Sequence, residues 1–487
     1  MTLSGQTSNR VGAEQVPKHD IDVGQLVDKQ GINAFNVMVL VVIVLSTALD
    51  GYDIFVPGFI APALIKQWHV NPAELGSMFG IGMIGIILGA PLFGWLGDRY
   101  GRKRMIVLCS VFYGLVSLLS LAATSMTQFT AMRFIIGIGI GGLIPNAIAL
   151  TAEFTPIKYR SMFIMLATLG VPVGQLLPGL VTASLVPAYG WHVLLIVGGA
   201  CPILVGLLAQ FTLPESIKYL VLRTDRVDEV RRIVQSIQPG AALPKGARFV
   251  IPEPLFAADL SPAKLFAGEL KFITPLVWFC LATVLLSLYF TVSWMLVVLE
   301  AAGLTPQQAA VRAIYFALGG VFGGLIFTPL VHRFGVAAVA FGFIVVGPLV
   351  ACIGISGLST LLISAFTACA GFFIIGIING MEAIMGMLYP TAARSKGVGW
   401  GLAVGRIGSL IGPVLGAYLV GLKLTNFQLF LTPAAILVFG ALLFLVLAAL
   451  CTRRFGGVRL NDEAAIHGAT IMGEHEGFDR LVPRPGA

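Results

Sequence analysis

The stretch Leu49-Asp50-Gly51-Tyr52-Asp53-Ile54-Phe55 places two carboxylates inside an apolar run, residues 34–59, that is long enough to cross a bilayer. A charge at the centre of a spanning helix costs about 2.5–3.5 kcal/mol on insertion scales. Residues three apart lie on one face of a helix, so Asp50 and Asp53 share a face. We expect this face to point into protein or a wet cavity, and we expect both carboxylates to have a use.

The composition extends this conclusion to the whole chain. Of 487 residues, 57% are hydrophobic and only 11% are charged, and the mean hydropathy is +0.92. Soluble domains carry about 25% charged residues. The sequence therefore predicts an all-α polytopic membrane protein.

Twelve apolar segments are long enough to span the membrane, six on each side of a polar central stretch. They lie near residues 34–59, 74–96, 105–124, 129–152, 162–186, 191–213, 272–299, 308–330, 336–357, 359–388, 397–421 and 428–451. We expect two six-helix bundles, at 34–213 and 272–452, joined by a cytoplasmic loop at 214–271. Residues 1–33 read as a loose tail with a short helix near 21–27, and residues 453–487 as a second tail. Within the loop, residues 225–238 have helical spacing, and the proline-rich residues 239–262 should be irregular.

The basic residues indicate the orientation. The net charge is +8, and the lysines and arginines fall mostly in loops on one side of the predicted membrane. The other side carries little beyond Lys66, Lys423 and Arg312. The positive-inside rule places the basic side, and with it both termini, in the cytoplasm. The sequence contains no basic tract interleaved with aromatic residues, and therefore nothing in it suggests nucleic-acid binding.

The two halves of the sequence repeat each other at one constant shift of 234 positions. Asp98-Arg99-Tyr100-Gly101 aligns with His332-Arg333-Phe334-Gly335, and Gly174 aligns with Gly408. Pro156, Arg160 and Ser161 likewise align with Pro390, Arg394 and Ser395. Such a repeat predicts two bundles related by an axis along the membrane normal, with a binding site between them near mid-membrane.

Residues 94–104, Gly-Trp-Leu-Gly-Asp-Arg-Tyr-Gly-Arg-Lys-Arg, resemble the signature loop of the major facilitator superfamily. The resemblance implies a loop that latches the bundles and releases them as a transporter changes state. Alternatively, the arginines of this loop only set the topology. Glu153, near the same end of the fourth span, either binds the basic residues of the loop or relays protons. His332, which replaces the aspartate in the second half, either has a functional role or is a neutral surface residue. The candidate gating residues are Asp98, Arg99, Gly101, Arg102, Glu153, Arg160, His332, Arg333 and Arg394.

Further stretches resemble the aromatic acid:proton symporters of that superfamily, which import benzoate-like carboxylates into bacteria. They are Asp50–Asp53, Arg133–Gly139, Pro214–Ser216, Tyr389–Arg394 and Arg406–Gly408. The resemblance implies a transporter in the bacterial inner membrane whose partners are protons, a small aromatic acid and the lipid bilayer. We expect a monomer without a cofactor.

The first-span carboxylates are the candidates for proton coupling. We place Asp50 and Asp53 in the outer half of the first span and Arg133 at a similar depth in the fourth. An aspartate whose arginine partner comes and goes can take up and release a proton. The alternative is a permanent structural ion pair.

A second set of residues is predicted to hold the cargo. Arg406, near mid-depth of the eleventh span, is the candidate for gripping the carboxylate, because a guanidinium can bind both oxygens. Alternatively it pairs with Glu382 in the tenth span. Aromatic side chains that could face the ring, or could equally serve packing, include Tyr289, Trp294, Tyr315 and Phe372.

Drug efflux and enzyme activity, two alternative functions, would need motifs that this sequence lacks. The rival within transport is proton-driven drug efflux, but those relatives typically carry Gly-Pro-x-x-Gly-Gly in span five, where this chain has Gly170-Val-Pro-Val-Gly174. A proton-coupled transporter of another organic acid also remains open. An integral-membrane enzyme would want a metal cluster, a nucleophile set or a nucleotide loop, and the six cysteines are scattered singly. We therefore expect no catalytic residues and no metal site.

Overall fold

The computed structural model describes residues 20–223, 226–237, 248–250, 265–266, 270–355, 357–389 and 391–455. Its helices in chain order are α1 (Val23–Lys29), α2 (Ala34–Trp68), α3 (Pro72–Tyr100), α4 (Arg102–Leu119), α5 (Met126–Phe154), α6 (Ile157–Ser184), α7 (Val186–Tyr189), α8 (His192–Thr212), α9 (Ile217–Val221), α10 (Val227–Ile237), α11 (Leu270–Ala301), α12 (Pro306–Phe334), α13 (Val336–Ile353), α14 (Thr360–Leu388), α15 (Thr391–Gly421) and α16 (Asn426–Phe455). Within these ranges, all except α1, α7, α9 and α10 are long and apolar enough to cross a membrane. The chain is a multi-pass membrane protein.

The first spanning helix is longer than the sequence predicted. We ended the span at residue 59, whereas α2 continues through Pro62 to Trp68. Prolines are tolerated in spanning helices because neighbouring helices and side chains satisfy the freed backbone groups. The prediction that Asp50 and Asp53 lie in the outer half of this helix is therefore wrong, since both lie at its middle.

The internal repeat reappears in the helix boundaries. Helix α3 covers 72–100 and α12 covers 306–334, while α5 covers 126–154 and α14 covers 360–388. In both pairs the two ends shift by the same 234 positions that the motifs showed. The two halves are therefore built alike, helix by helix.

The six spans of each half pack into a bundle, and three helix pairs join the bundles. These pairs are α2 with α11, α3 with α15, and α6 with α12. We call the end where α3 ends and α4 begins the basic end, and the end where α2 ends and α3 begins the opposite end. Gly76 and Gly80 of α3 lie against Ala417 and Val414 of α15 near the opposite end. The bundles are therefore closed against each other there.

The segment before the first span is packed, not loose as predicted. Strand β1 (Asp20–Asp22) pairs in parallel with β2 (Arg248–Val250), which the sequence had not predicted. Val23 and Val27 of α1 are 1% and 3% exposed. Asn33 donates from Nδ2 to the Ile237 carbonyl at 2.8 Å, which ties this segment to α10 of the central loop. Most of the proline-rich stretch predicted to be irregular lies outside the described residues.

Candidate functional site

Asp53 and Arg133 form a buried ion pair at the centre of the first bundle. The side chain of Asp53 is 1% exposed and that of Arg133 is 6% exposed, and Arg133 Nη2 lies 3.2 Å from Asp53 Oδ2. The same nitrogen donates to the Asp53 backbone carbonyl at 2.8 Å. Arg133 Nη1 also donates to Asp53 Oδ1 at 3.4 Å. The arginine thus contacts one of the two aspartates, as the sequence suggested, through three polar contacts.

Asp50 has a different environment from Asp53, one turn away. Its side chain is fully buried, and neither carboxylate oxygen has a hydrogen-bond partner in the described part of the chain. Tyr113 of α4 lies beside it, but its hydroxyl makes no hydrogen bond to a described residue either. A buried polar group without a partner costs free energy, and a buried unpaired charge costs far more. Nothing in the sequence had singled out Tyr113.

The position of the two aspartates depends on a close approach between α2 and α6. A side chain added at Gly51 would collide with the Val171 carbonyl oxygen, and one added at Gly174 would collide with that of Ala48. Tyr52 anchors the other side of α2 by donating its hydroxyl to the Leu194 carbonyl of α8 at 2.8 Å. The Asp-Gly-Tyr-Asp stretch is therefore fixed on two sides.

Arg406 lies at the middle of α15, half-buried. Its charge acts on Asp50 of the other bundle and on Glu382 of α14. In the described part of the chain, however, no carboxylate lies within ion-pair distance of it. Glu382 itself is exposed. The guanidinium is thus near two acids and bonded to neither.

A small cavity lies between the bundles on the closed side of the aspartates. Its volume is about 30 Å³, and Arg133, Phe55, Phe79 and Tyr289 are among its lining residues. A water needs about 10–15 Å³ by this measure, whereas ligand pockets usually reach 300–1,000 Å³. The cavity can hold water but not an aromatic acid.

The four candidate aromatic residues are not in one place. Tyr289 stacks on Phe55 across the bundles with ring centroids 6.0 Å apart. Trp294 is fully buried and donates to the Pro413 carbonyl at 3.0 Å, so it packs the closed end. Tyr315 is 41% exposed. Phe372 lines a separate groove in the second bundle.

The signature loop contacts the first bundle and the start of the central loop. Asp98 forms an ion pair with Arg102, and Arg102 also donates to Asn146 Oδ1 at 3.3 Å. Gly101, at φ +110°, provides the turn between α3 and α4. Buried Glu215 accepts from the Lys103 backbone N–H at 3.0 Å.

The remaining gating candidates are dispersed. The carboxylate of Glu153 accepts from Ser216 Oγ at 2.6 Å, and Arg102 of the signature loop is close enough to act on its charge, so its binding to the basic loop residues stays a prediction. Arg160 lies 3.4 Å from Asp28 of α1. Arg99, His332 and Arg333 are exposed at the basic end, and the side chain of Arg394 lies outside the described residues.

An ion pair that the sequence analysis missed joins the bundles at the opposite end. Lys66 Nζ of α2 lies 2.6 Å from Glu300 Oε2 of α11, and the two residues are 234 positions apart. Phe55 and Tyr289 are separated by the same number. The two helices therefore meet through equivalent positions of the repeat, and the shift itself was the signal that could have identified the pair. It is the only ion pair between the bundles within the described ranges.

Comparison with known proteins places this architecture in a family. Residues 43–381 match the Major Facilitator Superfamily. The chain belongs to the major facilitator superfamily. This confirms the resemblance of residues 94–104 and the predicted fold of two six-helix bundles.

Several transporters of this superfamily are similar along most of the chain. The 4-hydroxybenzoate transporter PcaK of Pseudomonas aeruginosa is 33% identical over 422 residues, which cover 85% of this chain and 94% of that protein. The benzoate transport protein of Acinetobacter baylyi is 30% identical, covering 85% and 89%. The gallate transporter of Pseudomonas putida is also 30% identical, covering 83% and 90%.

Solved structures of major facilitator proteins share the fold. A bacterial homologue of the human lysosomal transporter Spinster, in an inward-facing and unoccupied conformation, superimposes with a TM-score of 0.66 at 18% identity, covering 88% of this chain and all of that one. The D-xylose-proton symporter gives 0.60 at 17% identity, covering 84% and 97%.

Proposed function

We propose that this major facilitator protein imports a small aromatic carboxylate of the benzoate or hydroxybenzoate class together with protons, by alternating access. The relatives named for 4-hydroxybenzoate, benzoate and gallate support the substrate class. The observation that carries the mechanism is the pair of unlike aspartates at the centre of α2. One is bonded to an arginine, and the other is buried with neither carboxylate oxygen hydrogen-bonded to a described residue.

Asp50 is the proposed proton carrier. A carboxylate buried without a hydrogen bond or a paired cation would be strongly destabilised, so in this conformation Asp50 is expected to hold a proton. Asp53 is expected to stay ionised, because Arg133 grips both its side chain and its backbone carbonyl. The pair Asp53–Arg133 then provides a fixed charge beside the site where the proton comes and goes.

Arg406 is the proposed partner of the cargo carboxylate. A planar guanidinium binds a carboxylate through two parallel hydrogen bonds. Arg406 is free to bind a cargo carboxylate, because no acid is bonded to it in the described structure. Its positive charge also interacts with the carboxyl group of Asp50. A cargo carboxylate bound at Arg406 would neutralise its charge and so weaken its electrostatic attraction for the Asp50 carboxylate. Cargo binding and proton binding at Asp50 are linked in this way. Tyr289, Tyr315 and Glu382 remain candidates for the site wall.

Closure of the bundles at the opposite end corresponds to one of the two states of an alternating-access cycle, the state in which the site is closed to that side of the membrane. We propose that the basic end faces the cytoplasm, with both termini there, and that the protein works as a monomer in the bacterial inner membrane. The bundles at 34–213 and 272–452 would rock about the loop at 214–271. The closed contacts near Lys66 and Glu300 would separate in the other half of the cycle.

Proton coupling has an energetic reason. An anion that enters a cell works against about 2.3 kcal/mol per charge per 100 mV of membrane potential. One accompanying proton cancels this cost, and a second makes uptake electrogenic. A carrier with a proton-binding aspartate can therefore accumulate the acid.

The test is uptake of labelled 4-hydroxybenzoate into proteoliposomes under an imposed pH gradient. We expect accumulation when the outside is acidic and collapse of uptake when a protonophore is added. Benzoate and gallate should compete, whereas sugars should not. Uptake that is equal with and without the gradient would refute proton coupling, and absence of competition by any aromatic acid would refute the substrate class.

A further inference from the structure

The second bundle carries an aromatic groove that the transport mechanism does not use. Phenylalanines of α12, α13 and α14 line it, together with a leucine and two alanines, and its volume is about 380 Å³. The five aromatic residues of this phenylalanine groove are Phe327, Phe334, Phe341, Phe372 and Phe373. A volume of this size is in the range of ligand sites.

The groove opens on the outer surface of the bundle. Phe341 is 60% exposed and Phe334 is 46% exposed, and both belong to spanning helices. Phe334 is the last residue of α12 at the basic end, and Phe327 lies seven residues, about 10 Å, deeper. None of the groove residues lines the cavity between the bundles. The groove therefore runs from the basic membrane surface into the depth of the acyl chains.

The Arg333 side chain lies at the end of the groove that is nearest the basic membrane surface. The guanidinium carbon of Arg333 lies 5.3 Å from the centroid of the Phe334 ring, which is part of the groove wall. Arg333 is exposed. Within the described residues, no carboxylate lies within ion-pair distance of it. The phenylalanine groove thus ends beside an arginine that no described acid neutralises.

The internal repeat shows that this arrangement is particular to the second half. In the first half, the equivalent turn has Asp98, which forms an ion pair with Arg102. The second half has His332 in place of the aspartate and Val336 in place of the arginine. An anion approaching Arg99 meets a carboxylate one residue away, whereas an anion approaching Arg333 meets no carboxylate of a described residue within ion-pair distance of that arginine. The sequence change that weakens the signature loop therefore creates a surface suited to a negative ligand.

We propose that the phenylalanine groove binds one anionic phospholipid from the leaflet at the basic end. One acyl chain lies along the five phenylalanine rings, and the phosphate binds the Arg333 guanidinium. Basic pockets beside spanning helices recognise anionic headgroups in this way, and each Lys or Arg near the membrane surface contributes about 1 kcal/mol. The acyl chain buries the exposed apolar wall. This site is independent of the proposed cargo and of the proton.

Native mass spectrometry of the full-length purified protein tests the proposal. Delipidated protein is mixed with phosphatidylglycerol or with phosphatidylethanolamine of the same chain length, and the fraction that keeps one lipid is measured. We expect phosphatidylglycerol to be retained about five-fold better, and Arg333→Gln to remove this preference. Phe341→Ala should lower retention of both lipids, because it removes part of the chain-binding wall.

Two matched controls separate this site from general lipid adhesion. Arg99→Gln changes the equivalent arginine of the first half, and Phe439→Ala changes an exposed phenylalanine of α16 that is 56% exposed. Both should bind phosphatidylglycerol as the wild type does. Soluble glycerol phosphate should not displace the lipid, because it lacks the acyl chain.

Four results would overturn the proposal. They are equal retention of the two lipids by the wild type, unchanged preference in Arg333→Gln, equal losses in the controls, and displacement by glycerol phosphate alone. A protein dimer that forms without lipid and disappears in Phe341→Ala would show that a second copy covers the groove instead. Because Arg333 is an exposed side chain, its variant should fold even where Phe341→Ala does not.

Discussion

At the scale of single residues, the two first-span aspartates differ in what removal of their charge would leave behind. Neutralising Asp53 leaves Arg133 buried, 5% exposed, without its partner. Neutralising Asp50 leaves no described cation unpaired, since none of the ion pairs in the described part of the chain involves it. Two chemically identical substitutions, one helical turn apart, should therefore have unlike effects.

We expect Asp53→Asn to lower the free energy of unfolding by about 3–5 kcal/mol, the usual result of breaking a buried ion pair by removing one partner. Asp50→Asn should cost far less, because the amide resembles a protonated carboxyl. It should abolish uphill uptake driven by a pH gradient while keeping exchange of labelled for unlabelled acid. Thermal unfolding in detergent and the two transport assays measure these effects.

The assignment of roles depends on the contrast between the two variants. If Asp50→Asn still accumulates the acid as the wild type does, Asp50 is not the proton carrier. If Asp53→Asn unfolds at the wild-type temperature, the ion pair with Arg133 does not stabilise the bundle. Asp53→Glu serves as the control, because it keeps the charge and shifts only its position.

Arg406 should be sensitive even to a substitution that keeps its charge. Lysine offers a compact ammonium in place of a planar fork, so the second hydrogen bond to the carboxylate is lost. Charged hydrogen bonds contribute about 1.5–3 kcal/mol, and we expect Arg406→Lys to raise the half-saturation concentration for 4-hydroxybenzoate about ten-fold or more. Uptake measured against substrate concentration checks this. Unchanged half-saturation would remove Arg406 from the cargo site.

At the scale of helices, the contact of α2 with α6 holds the aspartates in place. A Cβ atom at Gly174 would collide with the Ala48 carbonyl, which is backbone and cannot turn aside. Overpacking typically costs 1–3 kcal/mol, so Gly174→Ala should lower the melting temperature and the uptake rate together. Gly386→Ala in α14 is the matched control, since a Cβ there would meet no atom of the described residues within 4 Å. Equal melting of both variants would contradict this close approach.

The sequence allowed most helices to be predicted, and the failures have identifiable causes. The spans followed from apolar length, because a bilayer sets that length physically. The end of α2 was missed because the predicted span stopped before Pro62, since a single sequence does not show which neighbours satisfy the backbone groups that a proline leaves unbonded. The pairing of β1 with β2 joins residues more than 220 positions apart, and such short strands carry no periodic pattern. The site residues were named individually, but their distances depend on packing between helices.

At the scale of the whole molecule, the repeat places equivalent residues face to face at the closed end. Phe55 stacks on Tyr289, and Lys66 forms an ion pair with Glu300. An axis that relates the two halves must bring some position next to its own copy, and α2 and α11 lie where this occurs. An ion pair needs opposite charges at two such positions, so this contact requires that the halves differ there. Its position across the bundle interface means that it must break whenever the closed end opens.

The ion pair should bias the equilibrium between the two states of the transporter. The side chain of Lys66 is 64% exposed and that of Glu300 10%, so water screens the pair, and it should contribute about 1 kcal/mol or less. We therefore expect Lys66→Glu to shift the population towards opening at this end by up to about five-fold, more at low ionic strength. Spin labels placed on α2 and α11 beyond the pair would report this shift as a longer distance distribution.

The charge-swapped double variant Lys66→Glu with Glu300→Lys supplies the control. It restores an attractive pair at the same two positions, so the distance distribution should return to that of the wild type although both residues have changed. If the double variant stays as open as the single one, the two charges do not act on each other. If Lys66→Glu alone leaves the distribution unchanged at low salt, the closed end is held by the glycine and aromatic contacts of α2, α3, α11 and α15 without help from the ion pair.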